Sequence, residues 1–301
     1  MRNRSKYLKA FMQEYEFPEE AIGLLLQAYD KIWENEKAKE LFENSVMLYE
    51  IRMMGSFEAS REKMQKVAEL SGVHVYTTEL LMVLAMSEFM KELYIERGIE
   101  SWIYHDTCKD FKAKMMYCKE RYDIWGTEVG AWFDKCFNLT RFILGRLQFE
   151  MAFACYTVAA TYKTVALNQV VVNVHIPATG ALLEEDCRES FLKAYEFFKP
   201  YFPNSVVPFF CFSWLLTPRH ETMLSPDSNI RRFMNFFKIK ESLLSVEGAL
   251  KRNIFKVEDL SDIDSLPNIS SLQRAYIEVL KKGEMPLSGV GAFHIKDGKF
   301  I

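Results

Sequence analysis

A run of β-branched residues, Val170 to Ile176, ends abruptly in Pro177-Ala178-Thr179-Gly180, and the residues after it follow a helical period. From about Glu184 the apolar positions Cys187, Phe191, Ala194, Tyr195 and Phe198 recur at helical spacing. Pro200 and Pro203 break that helix before a second apolar run, Val206 to Leu216 (VVPFFCFSWLL). Short apolar runs bounded by breakers read as buried strands, so the order strand, turn, helix, strand predicts a βαβ-like unit. A turn entering such a helix points main-chain N–H groups outward, the arrangement that receives phosphates and other anions. The segment Gln169–Phe237 is therefore the expected functional centre.

The chain on either side divides in two. Residues 1–138 read as helices throughout. Pro18 followed by Glu19 and Glu20 suits a first helical turn, and Ala21, Leu24, Leu25 and Ala28 supply the apolar face. Helices through KAKELFENSVMLYEIRMM and SREKMQKVAELSG run to Gly55 and Gly72. Thr77 or Thr78 is expected to cap a long apolar helix that stops before Gly98. Another helix covers Ser101 to Tyr122, and a shorter one carries Trp132 and Phe137. The methionines and aromatics of this half read as core packing.

Near Arg141 the period becomes alternating, which sets the expected domains at 1–138 and 139–301. In RFILGRLQFEMA, Leu147, Phe149 and Met151 point one way, and Arg146, Gln148 and Glu150 the other, as in a strand with one polar face. A further strand-like run spans Phe153 to Val165. Asp227 or Ser228 opens a helix with Ile230, Phe233, Met234 and Phe237 inward, and 238–264 is charged and poorly patterned. Ser270 and Gln273 have capping-box spacing before a helix stopped by Gly283, and SGVGAFHIKDGKFI closes as a strand and hairpin around Asp297-Gly298.

Formal net charge is −3, which gives no reason to expect nucleic acid or an anionic membrane as partner. The balance is uneven: 1–138 carries 19 Lys/Arg against 24 Asp/Glu, and the remainder 19 against 17. A mildly basic second half suits an anionic ligand. Cys108, Cys118, Cys136, Cys155, Cys187 and Cys211 are scattered without metal-ligand spacing, as expected of reduced, buried thiols. The basic N-terminus has no apolar signal region and no apolar run reaches membrane length, so a cytoplasmic protein without a membrane is expected. No P-loop, GxSxG elbow or HExxH occurs, and no metal is expected.

Chemistry is expected on the alternating polar positions: Arg146, Gln148 and Glu150; Asn173 and His175; and Ser213. If those faces coincide they line one polar cleft, where Glu150 or His175 could act as general base. A structural alternative pairs Arg146 with Glu150 and leaves His175 donating to a backbone carbonyl.

The segments LGRLQFE, VNVHIPATGALLEEDCRESFLKAYEFF, FFCFSWLLTPRHETMLSPDSNIRRFMNFF and LPNISSLQRAYIEVLKKGEMPLSGVGAF resemble a bacterial family assigned as acyltransferases, in which an N-acyltransferase N-terminal helical domain precedes a GNAT-like C-terminal domain. The resemblance implies an α/β (α+β) fold: an all-helical N-terminal domain followed by a GNAT-like mixed β-sheet with flanking helices. It also implies that the strand ending at Ile176 splays from Val206–Leu216 and opens a V-shaped slot. Acyl-CoA or acetyl-CoA would place its pantetheine there and its pyrophosphate on the amides of Ala178, Thr179, Gly180, Ala181 and Leu182. An acceptor, usually an amine, would attack the thioester. Glu150 or His175 would take its proton, Ser213 or a tyrosine would protonate the leaving thiolate, and Arg146, Gln148, Asn173 and Trp214 would contact the substrates. HIPATGALL lacks the usual GNAT signature of Gln or Arg, two residues, then Gly-x-Gly/Ala. The competing expectation is a non-catalytic ligand- or protein-binding module that keeps the fold.

Overall fold

The protein is seen in a computed structural model that describes residues 3–51, 55–154 and 167–301. The chain forms two compact units, Met1–Ile143 and Leu144–Ile301. The first is built on six long helices: α1 (Ser5–Glu14), α2 (Glu19–Glu34), α3 (Glu36–Glu50), α4 (Ser56–Ser71), α5 (Val75–Glu96) and α6 (Ser101–Tyr122). α5 is the axis of this unit. Its residues Leu80 to Met86 are all fully buried, and the other five helices pack against it. A helix that is apolar on every side can be stable only when surrounded in this way. Among the described residues no helix is long and apolar enough to cross a membrane.

The cap of α5 differs from expectation. His74, extended at ψ 141°, accepts the Tyr76 N–H on its Nδ1 at 3.1 Å. The hydroxyls of Thr77 and Thr78 are already inside the helix and donate to the carbonyls of Trp125 and Met64, at 3.0 and 3.1 Å. Capping needs a non-helical residue, which neither threonine is.

The second unit is a mixed sheet. Its strands are β1 (Arg141–Leu144, within which the division between units falls), β2 (Leu147–Phe153), β3 (Val170–His175), β4 (Val207–Ser213), β5 (Lys238–Ser245), β6 (Leu287–Lys296) and β7 (Lys299–Phe300). They lie in the order β1-β2-β3-β4-β6-β5, with β7 on β6. β3 and β4 run parallel, and the pairs β2–β3, β4–β6, β5–β6 and β6–β7 run antiparallel. Between β3 and β4 lies α7 (Glu184–Phe198), so the expected βαβ order is present. α8 (Asn229–Met234) is capped by Ser228, and α9 (Ser271–Lys281) by a full Ser270–Gln273 capping box.

Three expectations are corrected here. The strand expected through RFILGRLQFEMA is two strands, β1 and β2, because Gly145 at φ 84° reverses the chain and places Arg146 in the turn. The strand expected over Val206–Leu216 ends at Ser213, whose Oγ accepts the Leu215 N–H at 3.1 Å and turns Trp214–Leu216 into a 3₁₀ helix. That turn lies so close to β6 that a Cβ on Gly289 would sit 1.8 Å from the Leu216 carbonyl oxygen. The unpatterned stretch after Lys238 contains β5. It is an edge strand exposed at most positions, so no alternation of burial marks it in the sequence. Of the run Phe153–Val165, residues 155–165 lie outside the described residues, Cys155 among them; the other five cysteines are free and buried.

Phe191 of α7 holds this unit together. It is fully buried, with ring centroids of Phe293, Phe237 and Phe209 at 4.9, 5.9 and 6.0 Å. These rings bring β4 and β6 onto one side of α7 through edge-to-face contacts. Phe191→Ala is expected to lower the unfolding free energy by about 3–5 kcal/mol, with a smaller loss for Phe191→Leu, as measured by urea denaturation.

His220 follows the 3₁₀ turn and is fully buried. Its Nδ1–H donates to the Leu215 carbonyl at 3.1 Å, and its Nε2 accepts from the Tyr276 hydroxyl at 2.8 Å. Burial holds its pKa down, from the ordinary 6.5 to about 4. Between those values the unfolded chain binds a proton that the folded one does not, so this contribution is complete above the unfolded pKa and lost as pH falls towards 4. Stability in chemical denaturation should therefore fall by up to about 3 kcal/mol over that window. His220→Gln should flatten the slope.

Candidate active site

The register of the sheet decides which polar side chains meet. Gln148 lies opposite His175, and Glu150 opposite Asn173, across the antiparallel β2–β3 pair. Phe210 lies beside Asn173 across the parallel β3–β4 pair. Alternate residues of a strand share a face, so Gln148, Glu150, Asn173, His175, Phe210 and Phe212 all lie on one face. The reverse face carries Phe149, Val172, Val174 and Phe209 into the aromatic core.

On the polar face Glu150 and His175 form a direct pair, with Glu150 Oε2 2.9 Å from His175 Nε2. Their side chains are 12% and 20% exposed, enough burial to make an unpaired charge costly and the pairing strong. The Asn173 amide nitrogen is also 3.3 Å from this Nε2, but as a donor it makes no bond to a ring nitrogen that carries the proton. A carboxylate acceptor places the ring proton on Nε2, so in the neutral imidazole the basic lone pair belongs to Nδ1. Beside this pair Gln148 is 1% exposed, and its Nε2 has no hydrogen-bond partner among the described residues. A buried donor left unpaired costs about 1–3 kcal/mol, which is why such groups mark places where a ligand supplies the acceptor.

The β3–β4 ladder is short. Its register consists of Val172 with Phe209 and Asn173 with Phe210, although β3 continues to His175 and β4 to Ser213. β4 stays paired with β6 along its whole length, down to Ser213 with Gly289. The ladder between β3 and β4 thus ends level with the Glu150–His175 pair.

Past His175 the chain enters the turn 176–183 before α7. Ala178, Thr179, Gly180 and Ala181 are exposed and Leu182 is buried, with Gly180 at φ 122°. Arg146, in the β1–β2 turn, lies next to this segment because β2 begins where β3 ends. Its Nη1, Nη2 and Nε donate to the carbonyls of Pro177, Gly180 and Ala181 at 3.0, 2.7 and 2.9 Å. Among the described residues no acceptor meets the main-chain N–H groups of Ala178 to Leu182.

The structural alternative raised by the sequence is corrected by this geometry. Arg146 bonds to the turn rather than to Glu150, and Glu150 is the partner of His175. Ser213 does not join the group: it stands on the opposite parity of β4 from Phe210 and Phe212, with its Oγ occupied in the 3₁₀ cap. Trp214 is off the strand, in the 3₁₀ turn, with its ring 6.2 Å from that of His220. Among the described residues no three His, Cys, Asp or Glu side chains gather as a metal site. Two features escaped the sequence reading, the place of Phe210 and Phe212 on the polar face and the grip of Arg146 on the turn. The Gly145-Arg146 pair between two apolar runs was the available signal for the second.

Comparison with known proteins agrees with this architecture. The chain matches two family models, the N-acyltransferase N-terminal domain over residues 6–139 and the GNAT-like C-terminal domain over residues 141–293. No curated protein sequence matches it. Among solved structures, a mutant acyltransferase in complex with octanoyl-CoA is similar at TM-score 0.75 and 22% identity, over 95% of this chain and 87% of that one. An acyltransferase in complex with decanoyl-CoA and teicoplanin is similar at TM-score 0.73 and 21% identity, over 97% and 88%. At these identities the likeness is one of fold. Helical unit, mixed sheet and both family matches lead to one assignment: the chain belongs to the family that joins an N-acyltransferase N-terminal domain to a GNAT-like C-terminal domain.

Proposed function

We propose that the protein is an acyl-CoA-dependent N-acyltransferase, with the polar face of the second unit as its active site. The observation that carries this reading is the Glu150–His175 pair standing level with the end of the β3–β4 ladder, beside a turn whose amides meet no acceptor among the described residues. The end of the ladder is the slot for pantetheine, and the amides of Ala178, Thr179, Gly180, Ala181 and Leu182 receive the pyrophosphate, as unpaired N–H groups ahead of a helix do. Phe210 and Phe212 supply an apolar wall on the same face, and Phe212 is 41% exposed. Solved neighbours hold octanoyl-CoA and decanoyl-CoA, which supports a medium-chain donor here.

In the reaction an acceptor nitrogen attacks the thioester carbonyl, the C–N bond forms and the C–S bond breaks. The proton released by the nitrogen goes to His175 Nδ1 and ends on the departing thiol. Glu150 fixes the tautomer and steadies the positive imidazole. Gln148 Nε2, buried and without a partner among the described residues, is the donor for the oxygen that gains charge as the carbonyl becomes tetrahedral. Ser213 has no part in this scheme.

Thermal shift with acetyl-CoA, octanoyl-CoA, decanoyl-CoA and free CoA tests the reading. Saturable stabilisation is expected, about 2.7 kcal/mol at a hundredfold excess over Kd, and largest for the medium chains. A flat response across the panel would instead mark a non-catalytic relative of the family. Once an acceptor is in hand, His175→Ala should lower kcat by about a hundredfold or more, and Glu150→Gln by a smaller factor. Glu150→Gln, which keeps an acceptor for the imidazole, should melt close to wild type, whereas His175→Ala, which takes the imidazole away from Glu150, should lose about 1–3 kcal/mol. A collapse of melting temperature matching the loss of turnover would make the pair structural.

A further inference from the structure

The peptide bond is planar, and in its trans form the carbonyl of one residue and the N–H of the next point in opposite directions. The described chain contains no cis peptide. When Arg146 draws the carbonyls of Pro177, Gly180 and Ala181 towards its guanidinium, it turns the N–H groups of Ala178, Ala181 and Leu182 the other way. Those are three of the N–H groups that meet no acceptor among the described residues. One side chain, anchored in a turn of the sheet, thus fixes the orientation of three peptide planes at once. Among the described residues no other side chain hydrogen-bonds to the exposed turn from Ala178 to Ala181, which has a glycine at its centre.

We propose that Arg146 is the positioning residue of the pyrophosphate site: it presets the turn with its carbonyls inward and its amides outward, and so makes the chain select acyl groups carried on CoA over the same groups carried on pantetheine alone. This rests on the acyl-CoA reading above and adds how the pyrophosphate is recognised in a chain that lacks the usual Gln/Arg-x-x-Gly-x-Gly/Ala signature. The guanidinium suits the task because three nitrogens in a rigid fork reach three carbonyls, which a single ammonium cannot do. It acts through the main chain: three of its five N–H groups are committed to carbonyls of the turn. The gain is one of preorganisation: amides already aimed at the anion need no reordering when it binds.

The test uses the full chain and two ligands, decanoyl-CoA and S-decanoyl-pantetheine, which differ by the pyrophosphate and nucleotide. Dissociation constants for both are measured by titration calorimetry on wild type, Arg146→Ala and Arg146→Lys. Wild type is expected to prefer decanoyl-CoA, and both variants to lose that preference by at least about tenfold, or about 1.4 kcal/mol. Because each ratio is taken within one protein, a partly folded variant does not distort it. A preference unchanged in Arg146→Ala overturns the proposal. A preference kept in Arg146→Lys but lost in Arg146→Ala also overturns it, since charge alone would then suffice. Wild type that binds neither ligand overturns the acyl-CoA reading itself, a result distinct from either variant outcome.

Discussion

The second unit depends on the parallel contact between β3 and β4, which is strong on one face and brief along its edge. On the core face Phe149, Phe209 and Phe293 close around Phe191, so the two strands are held by apolar burial and ring contacts from α7. Along the edge only two residue pairs define the ladder. Parallel strands need a crossover connection, and here α7 provides both the crossover and the core residues. The strands can therefore part beyond Asn173 without loss of the packing that joins them. Such an interruption leaves main-chain groups of two strands facing the same space, where each needs a partner from outside the ladder.

Local pairing on the polar face follows from the same arrangement. Because β2 is antiparallel to β3, the start of β2 meets the end of β3, where chain direction changes into the turn before α7. That brings Arg146 onto the turn and sets Glu150 against His175. Burial makes each of these contacts more valuable than it would be in water, because an acid, an imidazole or a guanidinium without a partner would be expensive there. Desolvation alone already pulls the Arg146 pKa down from its ordinary value. Three carbonyl acceptors compensate a half-buried cation, so the guanidinium stays charged while it holds the turn.

Much of this was legible along the chain. The helical period of the first unit, the extent of α6, the capping box of α9 and the order of β3, α7 and β4 all follow from spacing and turn chemistry. The errors have a common origin. Residue type and position make Thr77 or Thr78 the expected cap of α5, whereas both hydroxyls are taken by distant carbonyls. Ser213 joins Asn173 only if the alternating faces of their strands coincide, and whether they do is fixed by the register between strands more than 30 residues apart in sequence. β5 leaves no mark in the sequence because an edge strand open to solvent need not alternate.

The sequence by itself determined the two-part construction, the breaker after Ile176 and the residue types able to do proton transfer. Local propensity and periodicity act over a few residues, and a few residues suffice to encode them. Tertiary structure alone decided that Glu150 meets His175, that Ser213 faces away, and that Arg146 closes on the turn carbonyls. Those outcomes depend on which strand lies beside which and in what register. Register is set by how the aromatic core around Phe191 fills, and a shift of one residue would send every one of these side chains to the other face.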